Sequence, residues 1–548
     1  VYAQLSGHAF LEFDDGLYVT GNPRIAEGLT LENFLWAWVS TDAYIWHPIT
    51  WLSYLIDGGL HGVESAGPWL LTNLALHVAC SLALLGSLAS LTGRFWPSAF
   101  VAALFALHPI QTEPVAWVSG RKEVLAGLFF VLTLWAYARY ARQRDRRSYL
   151  GVFAAMAMCL LAKGTHVAIP FLLLLLDYWP LGRLRLGPGG ERWTQLIAEK
   201  LPLLALSLAM VAVQAAAVAA PYSPWITDPP LFDRAQDGIM ATTATLGRLL
   251  WPDSLAIVYP TRTQMGLPQV GVQTVAAALA GLVAATTLAA AAGAKRGYLL
   301  VGWLWFLGML FPVIGLIPSG LRVMHDRYAY IPMIGLSIAF AFGVAELLAR
   351  LRVPRAIPAA AATAVLASLA VASWQQAGVW RDSLTLFDHA LAVTERNAIV
   401  HFLKGNTLSE AQNYESARVE FEAALAIHPS YPDAHNNLGL LYLKTKRIDL
   451  AIPHFERALA ARPKWGRART NLANAQWSSG DRSGALASFE AAVEASPESA
   501  DAHYWLAAAR HESGMLAAAA EGYREALRID PRHEWARRGL DGIEKAAR

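Results

Sequence analysis

Residues 371–393 read VASWQQAGVWRDSLTLFDHALAV, and the chain changes alphabet inside them. Before Trp374 it is written in apolar runs long enough for lipid. After it, polar and apolar residues mix at helical spacing as far as Arg548. Only 16% of the 548 residues are charged, against about 25% in soluble domains, and the deficit falls almost entirely before residue 374.

Downstream of the junction a period is plain. Pro429, Pro463, Pro497 and Pro531 stand 34 residues apart. Gly405, Gly439, Ala473 and Ala507 keep that step, as do Ala417, Ala451, Ala485 and Ala519. So do the aromatics Phe421, Phe455, Phe489 and Tyr523, and the alanines Ala424, Ala458, Ala492 and Ala526. These columns identify tetratricopeptide repeats over 398–431, 432–465, 466–499 and 500–533, with a capping helix to Arg548. The small residues let two helices approach, the aromatic fills the gap between them, and proline ends the second helix. Ser383, Phe387 and Ala390 fit the second-helix columns of an earlier half-repeat, which makes 374–397 a connector without slack. Asn437 and Asn471 share one column of the first helix, on the face that lines the groove of such arrays. An asparagine amide can bond both the N–H and the C=O of an extended acceptor peptide. The plainer reading is a solvated polar column, and Leu403 and Trp505 hold that position in the outer repeats.

Upstream, residues 1–373 read as a polytopic helical bundle, so the fold class is all-α throughout. Spans are expected near 69–91, 95–107, 124–140, 149–162, 166–180, 201–220, 271–292, 298–317, 329–349 and 356–373. The stretch VYAQLSGHAF at the start reads as the tail of an earlier helix. Lys and Arg in short loops set orientation. Arg139 to Arg147, Arg183 to Lys200, Lys295 with Arg296, and Arg350 to Arg355 all fall on one side, which should be the cytoplasm. The first loop and the repeats then share the other side.

Net charge is +3 and no basic stripe with interleaved aromatics occurs, so no nucleic-acid partner is expected. Cys80 and Cys159 both sit in apolar runs, which speaks against a disulfide framework or a zinc site. The informative residues are ionisable groups on the non-cytoplasmic side, where charge near lipid is costly. Asp14 and Asp15 come from the first loop; His47, His108, Glu113, Arg121, Lys122, Lys163, His166, Arg322, His325, Asp326 and Arg327 come from later ones. Carboxylates facing cations suit transfer of a group from an anionic leaving group. A carboxylate takes the proton of an attacking hydroxyl, and the cations stabilise the departing phosphate. Plainer readings stand beside these. Arg121-Lys122 could anchor to headgroups, and His47-Pro48 and His108-Pro109 could be turns before spans. His77 reads as a packed polar contact and Asp177 as a local cap or pair. Lys163 should have an anionic partner.

Several stretches resemble a known family. FDDGLYVTGNP at 13–23, WHPITWLSY at 46–54, LTNLALH at 71–77 and LFALHPIQTEPVAWVSGRKEVL at 104–125 look like the transmembrane and tetratricopeptide repeat-containing O-mannosyltransferases. AKGTHVAIPFLLLLLDYWPLGR at 162–183 and MHDRYAYIPMIG at 324–335 fit the bacterial branch. The resemblance covers both halves in order. It implies a membrane bundle of the GT-C glycosyltransferase type, with a helix ahead of the acidic loop that this sequence mostly lacks. It implies a sugar donor linked to a polyprenyl phosphate, with mannose the expected sugar, and a Ser or Thr acceptor on an exported protein held by the repeats. Asp14 is then the favoured base, with Asp15 orienting the acceptor or a divalent metal; the reverse order and the need for a metal are left open. By analogy Arg121, Lys163, His166, Arg322 and Arg327 hold the donor phosphate. His47, His108, Glu113 and His325 shape the pocket. The implied location is a bacterial inner membrane, with repeats on the non-cytoplasmic side. The competing readings are a non-catalytic membrane scaffold that recruits envelope proteins, and a transporter of lipid-linked sugars.

Overall fold

Apolar runs bounded by proline and glycine become helices here. The computed structural model describes every residue except 185–192, 219–229, 263, 264, 266, 294, 317–323, 547 and 548. Every regular element among the described residues is helical, apart from an isolated antiparallel bridge between Tyr259 and Met324. Two units separate, one reaching Glu395 and one made chiefly of residues from Arg396 onward.

In the first unit, α1 (Pro23–Glu27), α2 (Leu31–Val39) and α3 (Pro48–His61) lie in the long first loop. There follow α4 (Gly67–Thr92), α5 (Phe95–Leu107), α6 (Thr112–Ala116), α7 (Arg121–Gln143), α8 (Arg146–Ala162), α9 (Ile169–Tyr178) and α10 (Trp193–Val218). The unit continues with α11 (Leu231–Leu250), α12 (Val272–Gly293), α13 (Gly297–Leu310), α14 (Pro332–Arg350), α15 (Ala356–Val379) and α16 (Ser383–Val393). Six of these, α4, α7, α10, α12, α14 and α15, are long and apolar enough to cross a membrane. α5, α8, α9 and α13 fall where spans were expected but have only 13, 17, 10 and 14 residues. α11 lies where the hydropathy pattern showed only a loop. Its apolar residues occupy one face, so no window of it is apolar enough to stand out.

Local chemistry ends these helices. α4 stops at Gly93, whose φ of 66° is left-handed. Asp145 caps α8 by accepting from Arg147 N and Ser148 N at 2.9 and 3.0 Å. Within lipid, helices gain little from apolar contact alone, and small residues let backbones approach. α13 and α14 do this at Gly302 and Gly335, where a Cβ on either would lie 2.4 Å from the other's carbonyl oxygen.

Buried charges tie the helices together at two levels of α7. Near its start, the fully buried Arg121 pairs with Asp57 of α3 at 2.7 Å. It also donates to the Trp69 carbonyl at 2.9 Å and to the side chain of Asn73 on α4. Tyr137, 16 residues on and so about 24 Å along the axis, donates to Asp177. That carboxylate also holds Arg183 at 2.9 Å and Lys200. His77 meets the Tyr330 hydroxyl at 2.9 Å, and Cys80 and Cys159 are free and buried.

The end of the bundle is closed by the first loop and the junction. Gln4 Nε2 donates to the Trp374 carbonyl at 2.7 Å, Ala9 N to Arg381 O at 2.9 Å, and Glu12 N to Ser383 Oγ at 2.8 Å. His389 Nε2 donates to Leu255 O at 3.0 Å, so α16 is built into this first unit.

In the second unit, four helix pairs follow the expected register. They are α17 (Ala398–Glu410) with α18 (Tyr414–Ile427), α19 (Pro432–Lys444) with α20 (Ile448–Ala461), α21 (Gly466–Ser479) with α22 (Arg482–Ala495), and α23 (Ala500–Glu512) with α24 (Leu516–Ile529). The cap is α25 (Glu534–Ala546). Phe421, Phe455, Phe489 and Tyr523 are buried, and a Cβ at Gly405 or Gly439 would lie 2.7 Å from the aromatic ring of its own repeat. A further column recurs with the same period. His435 and His503 donate to Pro429 O and Pro497 O, each at 2.9 Å. Arg469 and Arg537 donate to Pro463 O and Pro531 O. The residue that closes one repeat is thereby fixed to the helix that opens the next.

Two stability tests follow. Gly302→Val should lower the melting temperature of the detergent-solubilised chain, by about 1–3 kcal/mol of destabilisation; an unchanged melt would show that α13 and α14 do not pack this closely. Arg121→Ala leaves Asp57 buried without its partner and should cost about 3–5 kcal/mol. Adding Asp57→Leu should recover part of that loss, and no recovery would mean the two charges are not coupled.

Candidate functional site

The site is built where the first loop meets the start of α7. Asp15 is fully buried and spends both oxygens on protein donors. Leu11 N donates to Oδ2 at 2.9 Å, and Ser119 donates to Oδ1 through its main chain at 3.0 Å and its hydroxyl at 2.5 Å. Burial pushes this carboxyl up to about 6, the donors holding it from rising further. Asp15 therefore fastens the loop and does not present a free carboxylate. Asp14, its neighbour, is half-buried, and its carboxylate accepts no hydrogen bond among the described residues. Its charge acts on Tyr18, Lys122 and Arg327.

Lys122 is the cation that sequence reasoning passed over in assigning roles. It is buried, donates to the Tyr18 hydroxyl at 3.2 Å, and its ammonium lies 4.3 Å from the Tyr18 ring centre and 5.5 Å from that of Trp117. Among the described residues no carboxylate lies within ion-pair distance of it. Arg121, one position earlier, was expected to hold the donor phosphate. Its guanidinium is instead committed to Asp57, Asn73 and the Trp69 carbonyl, with no exposed surface. One residue is a turn of about 100° on a helix, enough to send Arg121 into α3 and α4 and Lys122 toward the loop. A run of two cations in sequence could not separate them.

Arg327 takes the other side. Glu113 accepts from its main chain at 2.9 Å and from Nη1 at 2.6 Å, and the guanidinium lies 5.0 Å from the Trp117 ring centre. Lys163, at the end of α8, has an anionic partner in Glu123 of α7. A small cavity is lined by Glu123, Lys163, His166, Arg327 and Tyr328, which brings three of the expected phosphate ligands together. Burial, then the nearby Lys163, pushes His166 down to about 4, so its imidazole is neutral at pH 7.

The remaining expected residues fall out as follows. His47 is buried between Tyr18 and Trp51, with ring centres 5.7 and 5.0 Å away. Burial pushes it down to about 3, and neither ring nitrogen finds a hydrogen-bond partner among the described residues. His325 donates from Nδ1 to Ile257 O at 2.6 Å, beside Arg327. His108 accepts from Ile110 N at 3.2 Å and donates to Leu249 O at 3.0 Å. Both its nitrogens are satisfied, so it acts as the turn before α6 and not as a pocket group. Arg322 lies outside the described residues. For a metal, the described residues hold no group of three or more His, Cys, Asp or Glu side chains placed to bind one. With Asp15 occupied, the acidic pair does not offer two carboxylates to a cation.

In the repeats, Asn437 and Asn471 join a longer chain of amides. Asn471 donates to Asn436 at 2.9 Å, Asn436 to Asn437 at 3.0 Å, and Asn437 to Asn406 at 2.7 Å. Asn406 and Asn436 lie outside the column that Asn437 and Asn471 share, so that column did not point to them.

Comparison with known proteins adds the following. A tetratricopeptide-repeat family model matches residues 402–464 and 470–534. Human "Protein O-mannosyl-transferase TMTC1" is 26% identical over 486 residues, covering 78% of this chain and 54% of that protein. Human "Protein O-mannosyl-transferase TMTC4" is 23% identical over 415 residues, covering 67% and 55%. "Protein O-mannosyl-transferase Tmtc2" of Drosophila melanogaster is 30% identical over 196 residues, covering 32% and 20%. The chain thus spans at most about half the length of these curated relatives. Among solved structures, YrrB, titled a TPR protein with an unusual peptide-binding site, is 25% identical with a TM-score of 0.26, covering 36% of this chain and 97% of that one. Membrane helices and repeats run in the order the motifs required: the repeats match the tetratricopeptide-repeat family model, and most of the chain is similar to curated proteins named protein O-mannosyl-transferases.

Proposed function

We propose that this chain is a membrane glycosyltransferase that moves a sugar, mannose, from a polyprenyl-phosphate donor to Ser or Thr of an exported protein held by its repeats. The setting is a bacterial inner membrane, with the first loop and the repeats on the non-cytoplasmic side, in line with the loop charges. The observation that carries the reading is Asp14: a carboxylate that accepts no hydrogen bond among the described residues, beside a fastened Asp15, within the field of Lys122 and Arg327.

In the reaction the acceptor hydroxyl gives its proton to Asp14. Its oxygen forms the new bond to the anomeric carbon as the bond from that carbon to the phosphate oxygen breaks. The lipid phosphate leaves with the electron pair, and Lys122, Lys163 and Arg327 offset its negative charge. Buried cations suit this work because the low local dielectric strengthens their pull and screening is weak. Asp15 contributes by holding the loop, so it is a positioning residue. The neutral His47 and the Tyr18 and Trp117 rings form the apolar and hydrogen-bonding side of the sugar pocket, as Glu113 and His325 support Arg327. The asparagine chain Asn406, Asn437, Asn436 and Asn471 contacts the acceptor's main chain, which would make recognition tolerant of sequence.

Asp14→Asn should reduce transfer from polyprenyl-phosphate mannose to an acceptor protein by about 10²–10⁴-fold while leaving the melting temperature unchanged. Full activity in that variant would remove Asp14 as the base. Asn437→Ala combined with Asn471→Ala should raise KM for the acceptor with little change in kcat; an unchanged KM would take the groove out of acceptor binding.

A further inference from the structure

A second cationic pocket lies apart from Asp14. α11 begins and ends with exposed apolar side chains, Leu231 and Phe232 at one end and Leu250 and Trp251 at the other. A helix with such ends and an amphipathic body lies at a membrane interface, where indole rings also settle. Alongside it opens a cavity of about 320 Å³, lined by Arg234 and Arg248 of α11, Arg262, Tyr259 and Tyr328. Among its described lining residues Asp237 is the sole carboxylate, so three guanidinium groups face one acid.

The three arginines differ in what they have left to give. Arg248 lies 4.0 Å from the Tyr259 ring centre and 3.2 Å from Asp326, which also accepts from the Tyr259 hydroxyl at 2.8 Å. Its charge is balanced from behind. Arg262 donates Nε to Pro268 O at 2.7 Å and makes no ion pair among the described residues. Arg234 has a buried Nε without a hydrogen-bond partner among the described residues. Two guanidinium groups that make no ion pair among the described residues, beside a cavity of this size, match the forked geometry of a phosphate. The wall of the pocket is apolar on the other side, with Met240, Val313 and Ile314. Its neighbour α12 is a span with only 6% of its apolar window buried, hence facing lipid.

We infer that this pocket binds the phosphate of a lipid, with Arg234 and Arg262 on the phosphate, Arg248 behind, and the hydrocarbon chain along α11 and α12. Basic pockets at helix edges are known to hold lipid headgroups. Val313 and Tyr328 line both this pocket and the small Lys163–Arg327 cavity, so the two share a wall. The inference does not rest on Asp14 being a base.

The test uses the full chain in detergent micelles, with retained ligand read by native mass spectrometry. Phosphatidylglycerol, a polyprenyl monophosphate and inorganic phosphate are added separately. The wild type should retain a phosphate-bearing lipid, and Arg234→Gln with Arg262→Gln should lower its occupancy at least tenfold. Arg262→Gln alone, outside any helix, guards against misfolding and should give a smaller loss at an unchanged melting temperature. Lys122→Gln, which weakens the site proposed for the donor phosphate, should retain lipid like the wild type, which separates this pocket from the proposed reaction. Equal retention of both lipids assigns the site to bilayer phospholipid; retention of the polyprenyl phosphate alone assigns it to the carrier lipid. Either supports the inference. Retention of neither lipid, or of inorganic phosphate alone, or lipid retention unchanged in the folded double variant, overturns it.

Discussion

The Asp15 carboxylate, accepting from Leu11 N and from both donors of Ser119, bridges 104 residues of sequence. Everything at the candidate site is referred to that bridge. It fixes the first loop against the corner that precedes α7, and the next four residues of that corner then fan out. Ser119 holds Asp15. Arg121 reaches Asp57 and Asn73, Lys122 reaches Tyr18, and Glu123 reaches Lys163. Successive residues on a helix point about 100° apart. One short run, SGRKE at 119–123, can thus clamp the first loop, α3, α4 and the end of α8 to a single helix start.

Charge in an apolar bundle is stable only when paired, since the desolvation cost of each ion is several kcal/mol. This structure follows that rule almost everywhere. Arg121 has Asp57, Lys163 has Glu123, Arg327 has Glu113, and Asp177 has Arg183 and Lys200. Among the described charges beside the first loop, Lys122 departs from that rule. It has a hydroxyl and two aromatic faces, with the Asp14 charge acting on it from a distance. A buried cation and a nearby carboxylate that do not neutralise each other by contact keep both charges available. A pair with no exposed surface, such as Arg121 with Asp57, stabilises the fold but cannot meet a substrate, whereas Lys163 and Arg327 keep a face on a cavity beside their partners.

The repeat register and the helical segments were legible in the sequence because both are periodic or compositional. Proline and alanine columns at a step of 34 residues survive any detail of packing, and a lipid-facing helix must be apolar whatever it touches. The need of Lys163 for an anion was also legible, because a lone cation between short apolar runs has no other means of being stable. What could not be read was direction. Arg121 and Lys122 are adjacent cations, and only the positions of Asp57 and Asn73, on helices remote in sequence, decide which of them is consumed. His108 read as a pocket group until Leu249 O, 141 residues away, supplied its second partner. α11 escaped because a helix with one polar face has no apolar window.

The amide chain in the repeats carries the same distinction between a group that is used up and one that is aimed. Each asparagine has two N–H donors and a carbonyl with two lone pairs. Along Asn471, Asn436, Asn437 and Asn406 each link takes one donor and one lone pair. The links fix which way every amide faces, and capacity remains on each for another partner. An isolated asparagine on a helix surface would lose rotamer freedom on meeting a ligand, at a cost of about 0.5–1.5 kcal/mol per side chain. A chain of amides that hold one another has met that cost at folding. Leu403 and Trp505 occupy the column of Asn437 and Asn471 in the outer repeats, so that column is polar in the two middle repeats and apolar on either side, with Asn406 extending the amide chain into the first repeat. On the proposed reading of the repeats as the acceptor's dock, such a surface would suit a short extended stretch of main chain and ask little of its side chains.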